Sequence, residues 1–200
     1  MEKINSRYHK RTHKYGIRLP KTIEEALAID KETGMDLWRK AIEKEMKNVM
    51  PAFRILDDDD KIPIGYTQIP CHMIFDIKID FTRKARFVAG GHRTKPPSSI
   101  TYSSVVSRDS VRIALMLAAL NEVDILAGDI QNAYLNAACR EKVWTIAGKE
   151  FGSENIGKRV LIVRALYGLR SSGAAFRSHL ADSLHNMGFK PSMGDPDVCL

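Results

Sequence analysis

Two short alternating runs decide most of what this chain can become. Residues 73–79 read Met73-Ile74-Phe75-Asp76-Ile77-Lys78-Ile79, and residues 84–89 read Lys84-Ala85-Arg86-Phe87-Val88-Ala89. Period two is the repeat of a half-buried strand, and Asp80-Phe81-Thr82-Arg83 between them is short enough to close a β-hairpin. The alternation puts Lys84, Arg86 and Val88 on one face and Ala85, Phe87 and Ala89 on the other. The predicted hairpin therefore has a cationic side and an apolar side.

A lone hairpin is marginal in water, so other elements must cover its apolar side. Thr22 followed by Glu25 is a capping-box pattern opening a short helix that Gly34 interrupts. A second helix starts near Asp36. In it Trp38, Ala41, Ile42, Met46 and Val49 recur at helical spacing, while Lys40, Glu43, Lys44 and Lys47 face water and Pro51 lies past the end. From Asp109, Val111, Ala114, Leu115 and Ala118 predict a largely buried helix of about three turns, leading to a buried strand over 123–128. Helix into buried strand into an acidic tip signals layered α and β structure. Strands are expected over 142–146 and 160–163. A last helix from Ala174 should bury Phe176, Leu180, Leu184 and Met187 and end at Gly188. Gly90-Gly91-His92 ends the hairpin, with no helix start behind it to make a phosphate loop, and 93–101 is a Pro- and Ser-rich loop.

Bulk properties exclude several classes. The longest apolar run, 113–120, is far short of the ~20 residues a membrane helix needs, and the start has no apolar signal core. A soluble, intracellular chain is expected. Cys71, Cys139 and Cys199 are three, widely spaced, which fits reduced buried thiols rather than a disulfide framework. A formal charge of +7 and a pI near 9.3 favour a polyanionic partner, although basicity alone is unspecific. Residues 1–20, with six Lys and Arg and little apolar periodicity, read as a basic flexible leader. Asp57 to Asp60 are consecutive carboxylates pointing in different directions, a solvated turn rather than a metal site.

Asp129 closes the 123–128 run and is followed by Ile130-Gln131-Asn132-Ala133-Tyr134. A carboxylate fixed at a strand tip is a place to hold a hard cation such as Mg²⁺, and an aromatic five residues later can curl back beside it. The same Asp also fits a helix cap or turn, and Tyr134 also fits a core aromatic.

Several ordered blocks share one explanation. LWRKAIEKEM at 37–46, KARFVAGG at 84–91, GDIQNAYLN at 128–136 and ALYGLR at 165–170 together resemble the reverse transcriptase domain of copia-type LTR retrotransposons, over roughly residues 20–200. The resemblance implies an α+β fold: fingers over about 21–108, an incomplete palm over about 109–200, and a mixed or antiparallel sheet with packed helices. It implies an RNA-directed DNA polymerase that takes dNTPs and an RNA or DNA template-primer, with the remaining retrotransposon polyprotein segments as further partners. Nucleotidyl transfer would run through two Mg²⁺ ions roughly 3.5–4 Å apart. Asp129 then matches the first metal-binding carboxylate, and Ile130 supplies a backbone oxygen. Tyr134 matches the gate whose ring excludes a ribose 2′-hydroxyl. Arg86, with Lys78 or Lys84, matches the cations that hold the triphosphate. Tyr167 and Gly168 approach the incoming base and template.

Two departures matter. The family often continues YGL with Lys-Gln, whereas this chain has Arg170-Ser171-Ser172-Gly173. The later Tyr/Phe-x-Asp-Asp motif, which supplies the other two metal carboxylates, does not occur, and Asp195-Pro196-Asp197 reads as its lead-in. The expectation is a polymerase segment that is inactive as an isolated chain; the alternative is a degenerate, non-catalytic remnant that binds nucleic acid. A Cys–His protease is excluded because Cys71 and His72 point oppositely on an extended segment. Zinc is disfavoured because Cys139, His179, His185 and Cys199 lack paired short spacings.

Overall fold

The computed structural model describes residues 12–94 and 101–200. It is a mixed α and β structure whose core grows around the expected hairpin, β5 (Cys71–Ile77) and β6 (Arg83–Ala89). The strands pair antiparallel with Met73 opposite Phe87 and Phe75 opposite Ala85. The faces divide as the alternation requires: Met73, Phe75, Ile77, Ala85, Phe87 and Ala89 are buried, while Arg86 is exposed. At the hairpin tip Phe81 takes a positive φ of 62°, and Asp80 accepts the Thr82 N–H at 3.0 Å.

The chain reaches this hairpin through β1 (His13–Lys14), β2 (Ile17–Arg18), α1 (Ile23–Thr33) and α2 (Leu37–Val49). Of the leader expected over 1–20, residues 12–20 hold β1 and β2, and residues 1–11 lie outside the described residues. β1 and β2 form a small hairpin, Tyr15 and Gly16 supplying the two positive φ values a two-residue turn needs. Its basic residues are tied down: Lys14 pairs with Asp76 at 2.6 Å and Arg18 with Glu25 at 3.1 Å. Thr22 caps α1 by accepting the Glu25 N–H, and Gly34 ends it at φ 67°. α2 is capped from α1 rather than by Asp36. The buried Asp30 carboxylate accepts the Trp38 and Arg39 N–H groups at 3.1 and 2.8 Å, which removes two orphan donors at a helix start. Trp38, Ile42, Met46 and Val49 are buried, as their spacing requires. Trp38 packs edge-on to Phe75 at 5.5 Å, and the Arg83 guanidinium lies 5.7 Å from its ring.

β3 (Phe53–Ile55), β4 (Thr67–Gln68), β7 (Val143–Ile146) and β8 (Arg159–Ile162) form a second sheet in the order β3-β8-β7-β4. β4 runs parallel to β7 and the other pairs are antiparallel. This sheet crosses the division expected near 108/109, because β3 and β4 from before that point flank β8 and β7 from after it. One hydrophobic core accordingly draws on residues 26–89 and 143–169. Phe53, Phe87 and Phe151 meet edge to face at 5.1–5.8 Å where the two sheets join.

The intervening stretch behaves differently from its sequence pattern. α3 (Arg108–Leu120) forms and is capped by Ser107, but none of its residues is buried. Residues 123–128 are exposed and pair with no strand, so the buried strand expected before Asp129 is corrected to an extended loop. Apolar periodicity states only that a segment can bury one side. A strand exists only where a neighbour satisfies its backbone, and among the described residues none lies alongside this one. α4 (Ser172–Asn186) likewise buries Ser172, Ala174 and Ala175 at its start, while Phe176, Leu180 and Leu184 are half-buried and Met187 is exposed. Beyond it, residues 190–200 fold back on themselves through reciprocal Lys190 and Leu200 backbone bonds of 2.8 Å. There Asp195 accepts from Ser107 N–H at 3.0 Å and the Ser110 hydroxyl at 2.6 Å, pinning this arch to the start of α3.

Candidate functional site

The exposed face of β6 looks across a cavity of about 410 Å³ toward α2 and the 129–132 loop. Lys44, Glu45, Asn48 and Val49 enter from α2, Lys84 and Arg86 from β6, Asp129 to Asn132 and Leu135 from the loop, and Tyr167 from the segment after β8. Each arrives for a local reason. Arg86 faces the cavity because its neighbours Ala85 and Phe87 face the core. Lys44 sits on the exposed side of α2, whereas Glu45, three residues after Ile42 and four before Val49, interrupts the buried stripe and so reaches β6. Asn132 turns the loop at a left-handed φ of 51°, which Asn tolerates better than most residues, and opens the 3₁₀ turn Ala133–Asn136.

Three cations, Lys44, Lys84 and Arg86, therefore share one wall set with two carboxylates, Glu45 and Asp129. The Arg86 guanidinium lies over the Tyr167 ring, 5.1 Å from its centre. Tyr167 in turn packs against Tyr134 with the rings tilted by 53° and 4.9 Å apart, and Tyr134 meets Phe176 at 6.2 Å. A cation over an aromatic face is held in place without being neutralised, which keeps it available to an anion. Tyr134 is half-buried in a small cluster with Ala137, Ala165 and Ala175. Burial raises the Glu45 carboxyl above its ordinary value, opposed by the Phe87 N–H and by the charges of Arg86 and Lys84.

Of the residues singled out from sequence, Arg86, Lys84, Asp129, Ile130 and Tyr167 line this cavity, and Tyr134 buttresses it through Tyr167. Lys78 does not join them; it is exposed at the far end of the hairpin, where its N–H bonds the Thr82 carbonyl. Gly168 makes a close backbone contact. At φ 92° its α-carbon presses on β6, so that a β-carbon there would lie 2.0 Å from the Ala89 oxygen. Gly91 fits reciprocally, since a β-carbon there would lie 2.4 Å from the Gly168 carbonyl oxygen. The pair of glycines lets the segment carrying Tyr167 dock on the hairpin, and Ala89 N–H bonds the Tyr167 carbonyl at 2.8 Å.

The residues in place of the usual Lys-Gln also do structural work. Arg170 donates to the His92 carbonyl, and the buried Ser171 donates its N–H and hydroxyl to Glu141 at 2.9 and 2.8 Å. Ser172 exchanges bonds with the Leu166 backbone. Sequence reasoning missed Glu45, Lys44 and Asn48 as cavity residues; the signal was a carboxylate, Glu45, at the buried spacing of Ile42 and Val49, but nothing in one sequence says what such a residue faces.

Among the described residues no group of three or more His, Cys, Asp or Glu side chains could hold a metal ion. Asp129 offers one carboxylate, too few donors for a two-ion centre. A larger cavity of about 590 Å³ between α1, α2 and residues 149–152 is walled by Ile23, Leu27, Ile42, Met46 and Phe151 and gathers none of the singled-out residues. No described helix is long and apolar enough to cross a membrane.

Fold and cavity together define an α+β domain with a basic, acid-tipped pocket beside two packed tyrosines. Residues 53–196 match the family described as reverse transcriptase (RNA-dependent DNA polymerase), and the chain belongs to that family as a copia-type segment. It is similar to the Retrovirus-related Pol polyprotein from transposon RE2 of Arabidopsis thaliana, 27% identical over 99% of this chain and 14% of that protein. The RE1 counterpart from the same plant is 28% identical over 80% of this chain and 12% of its own length. The Transposon Ty1-BL Gag-Pol polyprotein of Saccharomyces cerevisiae is 36% identical over 50% of this chain and 6% of its own length. The chain thus spans a small fraction of the polyproteins it matches. No solved structure matches it.

Proposed function

We propose that this chain is the nucleotide-gripping segment of an RNA-directed DNA polymerase with a reverse-transcriptase-like fold. In this reading the hairpin and the four-stranded sheet act as fingers, and residues 108–136 with 164–200 act as the palm side. The observation that carries it is the convergence of Arg86, Lys84, Asp129, Ile130 and Tyr167, from three distant sequence blocks, on one cavity of about 410 Å³. Arg86 offers a planar fork and Lys84 a point charge to a triphosphate, with Lys44 adding to the field. Tyr167 supports Arg86, and Tyr134 packed behind it limits the room left for a ribose 2′-hydroxyl. Lys78, outside the cavity, has no role in this grip.

In the complete polymerase two Mg²⁺ ions supply activation of the primer 3′-hydroxyl and neutralisation of the leaving phosphate. Asp129 and the Ile130 carbonyl are this chain's contribution to holding them. Because one carboxylate does not make that centre, residues 1–200 alone bind dNTP and template-primer without extending the primer. The net charge of +7 supports the template contact.

The test is calorimetric titration of residues 1–200 with dTTP, beside primer extension on a primed RNA template with Mg²⁺. Arg86→Ala should weaken dTTP binding about tenfold or more, the loss of a charge-assisted bond. Unchanged binding in Arg86→Ala rejects the site; extension that vanishes in Asp129→Ala rejects the inactivity of the isolated segment. Salt-dependent template binding without any dTTP binding would instead favour a remnant that only binds nucleic acid.

A further inference from the structure

We infer that Glu45 is a positioning residue for Arg86: its carboxylate holds the outer edge of β6 and so presents the guanidinium over Tyr167. The inference rests on the triphosphate reading of the cavity. Among the described residues β6 pairs only with β5, so alternate N–H groups along its other edge have no described strand to bond. Two of these lie just beyond Arg86 along the strand and are satisfied from outside the sheet. Phe87 N–H donates to the Glu45 carboxylate at 3.0 Å, and Ala89 N–H donates to the Tyr167 carbonyl at 2.8 Å.

The second of these bonds is between backbones and survives most substitutions. The first depends on one side chain, 42 residues away on α2. Glu45 therefore couples the helix to the strand beside the arginine. Arg83 on the Trp38 ring fixes the start of the same strand against the same helix. Among the described residues no ion pair joins Glu45 to Arg86 or Lys84, so the carboxylate spends its bond on the backbone and leaves both cations to an incoming anion. Its negative charge still lies in the wall of the anion cavity, where it opposes binding.

These two effects have opposite signs and can be separated. Glu45→Gln keeps an oxygen acceptor for Phe87 N–H and removes the charge, whereas Glu45→Ala removes both. With dTTP and inorganic tripolyphosphate as probes, Glu45→Gln should bind about two- to threefold tighter than wild type, the size of a screened charge effect. Glu45→Ala should bind about tenfold weaker, and exchange of the Phe87 amide should accelerate in Glu45→Ala but not in Glu45→Gln. A folded Glu45→Ala that binds as wild type, or a Glu45→Gln as impaired as Glu45→Ala, overturns the positioning role. If wild type binds neither probe, or Arg86→Ala binds as well as wild type, the triphosphate reading itself has failed instead.

Discussion

Replacing Gly168 by alanine isolates the energetic value of the close approach between the Tyr167 segment and the hairpin. Gly168 has φ +92°, and an added β-carbon would lie 2.0 Å from the Ala89 oxygen and 3.0 Å from the Ala89 carbonyl carbon. Gly34 is the internal control, with φ +67° and nothing within 4 Å of its would-be β-carbon. Both substitutions incur the left-handed backbone cost of an L side chain, about 1–2 kcal/mol. Only Gly168→Ala must also push one backbone away from another. That breaks the 2.8 Å bond from Ala89 N–H to Tyr167, leaving a buried donor without a partner at about 1–3 kcal/mol. Gly168→Ala should therefore lose about 4 kcal/mol and Gly34→Ala about 1.5 kcal/mol. With a urea m-value of about 2 kcal/mol per molar, the midpoints should fall by about 2 M and about 0.7 M. Urea unfolding followed by tryptophan fluorescence reads both. Equal shifts in the two variants would refute the reasoning, since the contact would then carry no energy beyond the shared φ strain.

Trp38→Ala should destabilise by about 3–5 kcal/mol in the same assay, because the ring is 1% exposed and supports both Phe75 and Arg83. The bonds from Ser110 and from the Ser107 N–H hold the Asp195 carboxyl down from 3.8 to about 2. A depressed folded value means its stabilisation is full above the unfolded value and is lost as pH falls from about 4 through 2; Asp195→Asn should flatten that stretch of an acid-unfolding curve. Burial pushes the Cys71 and Cys139 thiols up to about 11, so native protein at about pH 8 should resist iodoacetamide at both, scored by mass spectrometry. Rapid native labelling of either would contradict their burial.

What sequence made legible was local and periodic. The hairpin faces follow from alternation, α2 from the spacing of Trp38, Ile42, Met46 and Val49, and the start of α1 from Thr22 and Glu25. The cavity was legible only as a set of motifs, because residues 84–86, 129–130 and 167 meet through folding and not through spacing. Three features were illegible for different reasons. α3 and residues 123–128 have buried-type patterns without a covering surface, and pattern reports capacity rather than contact. Asp30 caps a helix that begins seven residues after it, a job that capping rules assign to Asp36. Lys78 and Lys84 sit on the same hairpin with similar chemistry, and only the position of the turn sends one to the tip and the other to the cavity.

The sheet order β3-β8-β7-β4 has a consequence for how such a gene can decay. Strands from 53–68 and 143–162 close the scaffold, and no residue from 101 to 132 contributes a buried side chain to it. The stretch that carries Asp129 is thus an excursion hung from a frame already complete without it. Substitutions there leave the frame's own bonds intact, so on the proposed reading loss of activity and loss of foldedness are separate events. On the proposed reading, a copy of this segment that loses the chemistry assigned to Asp129 keeps its frame and its positive charge.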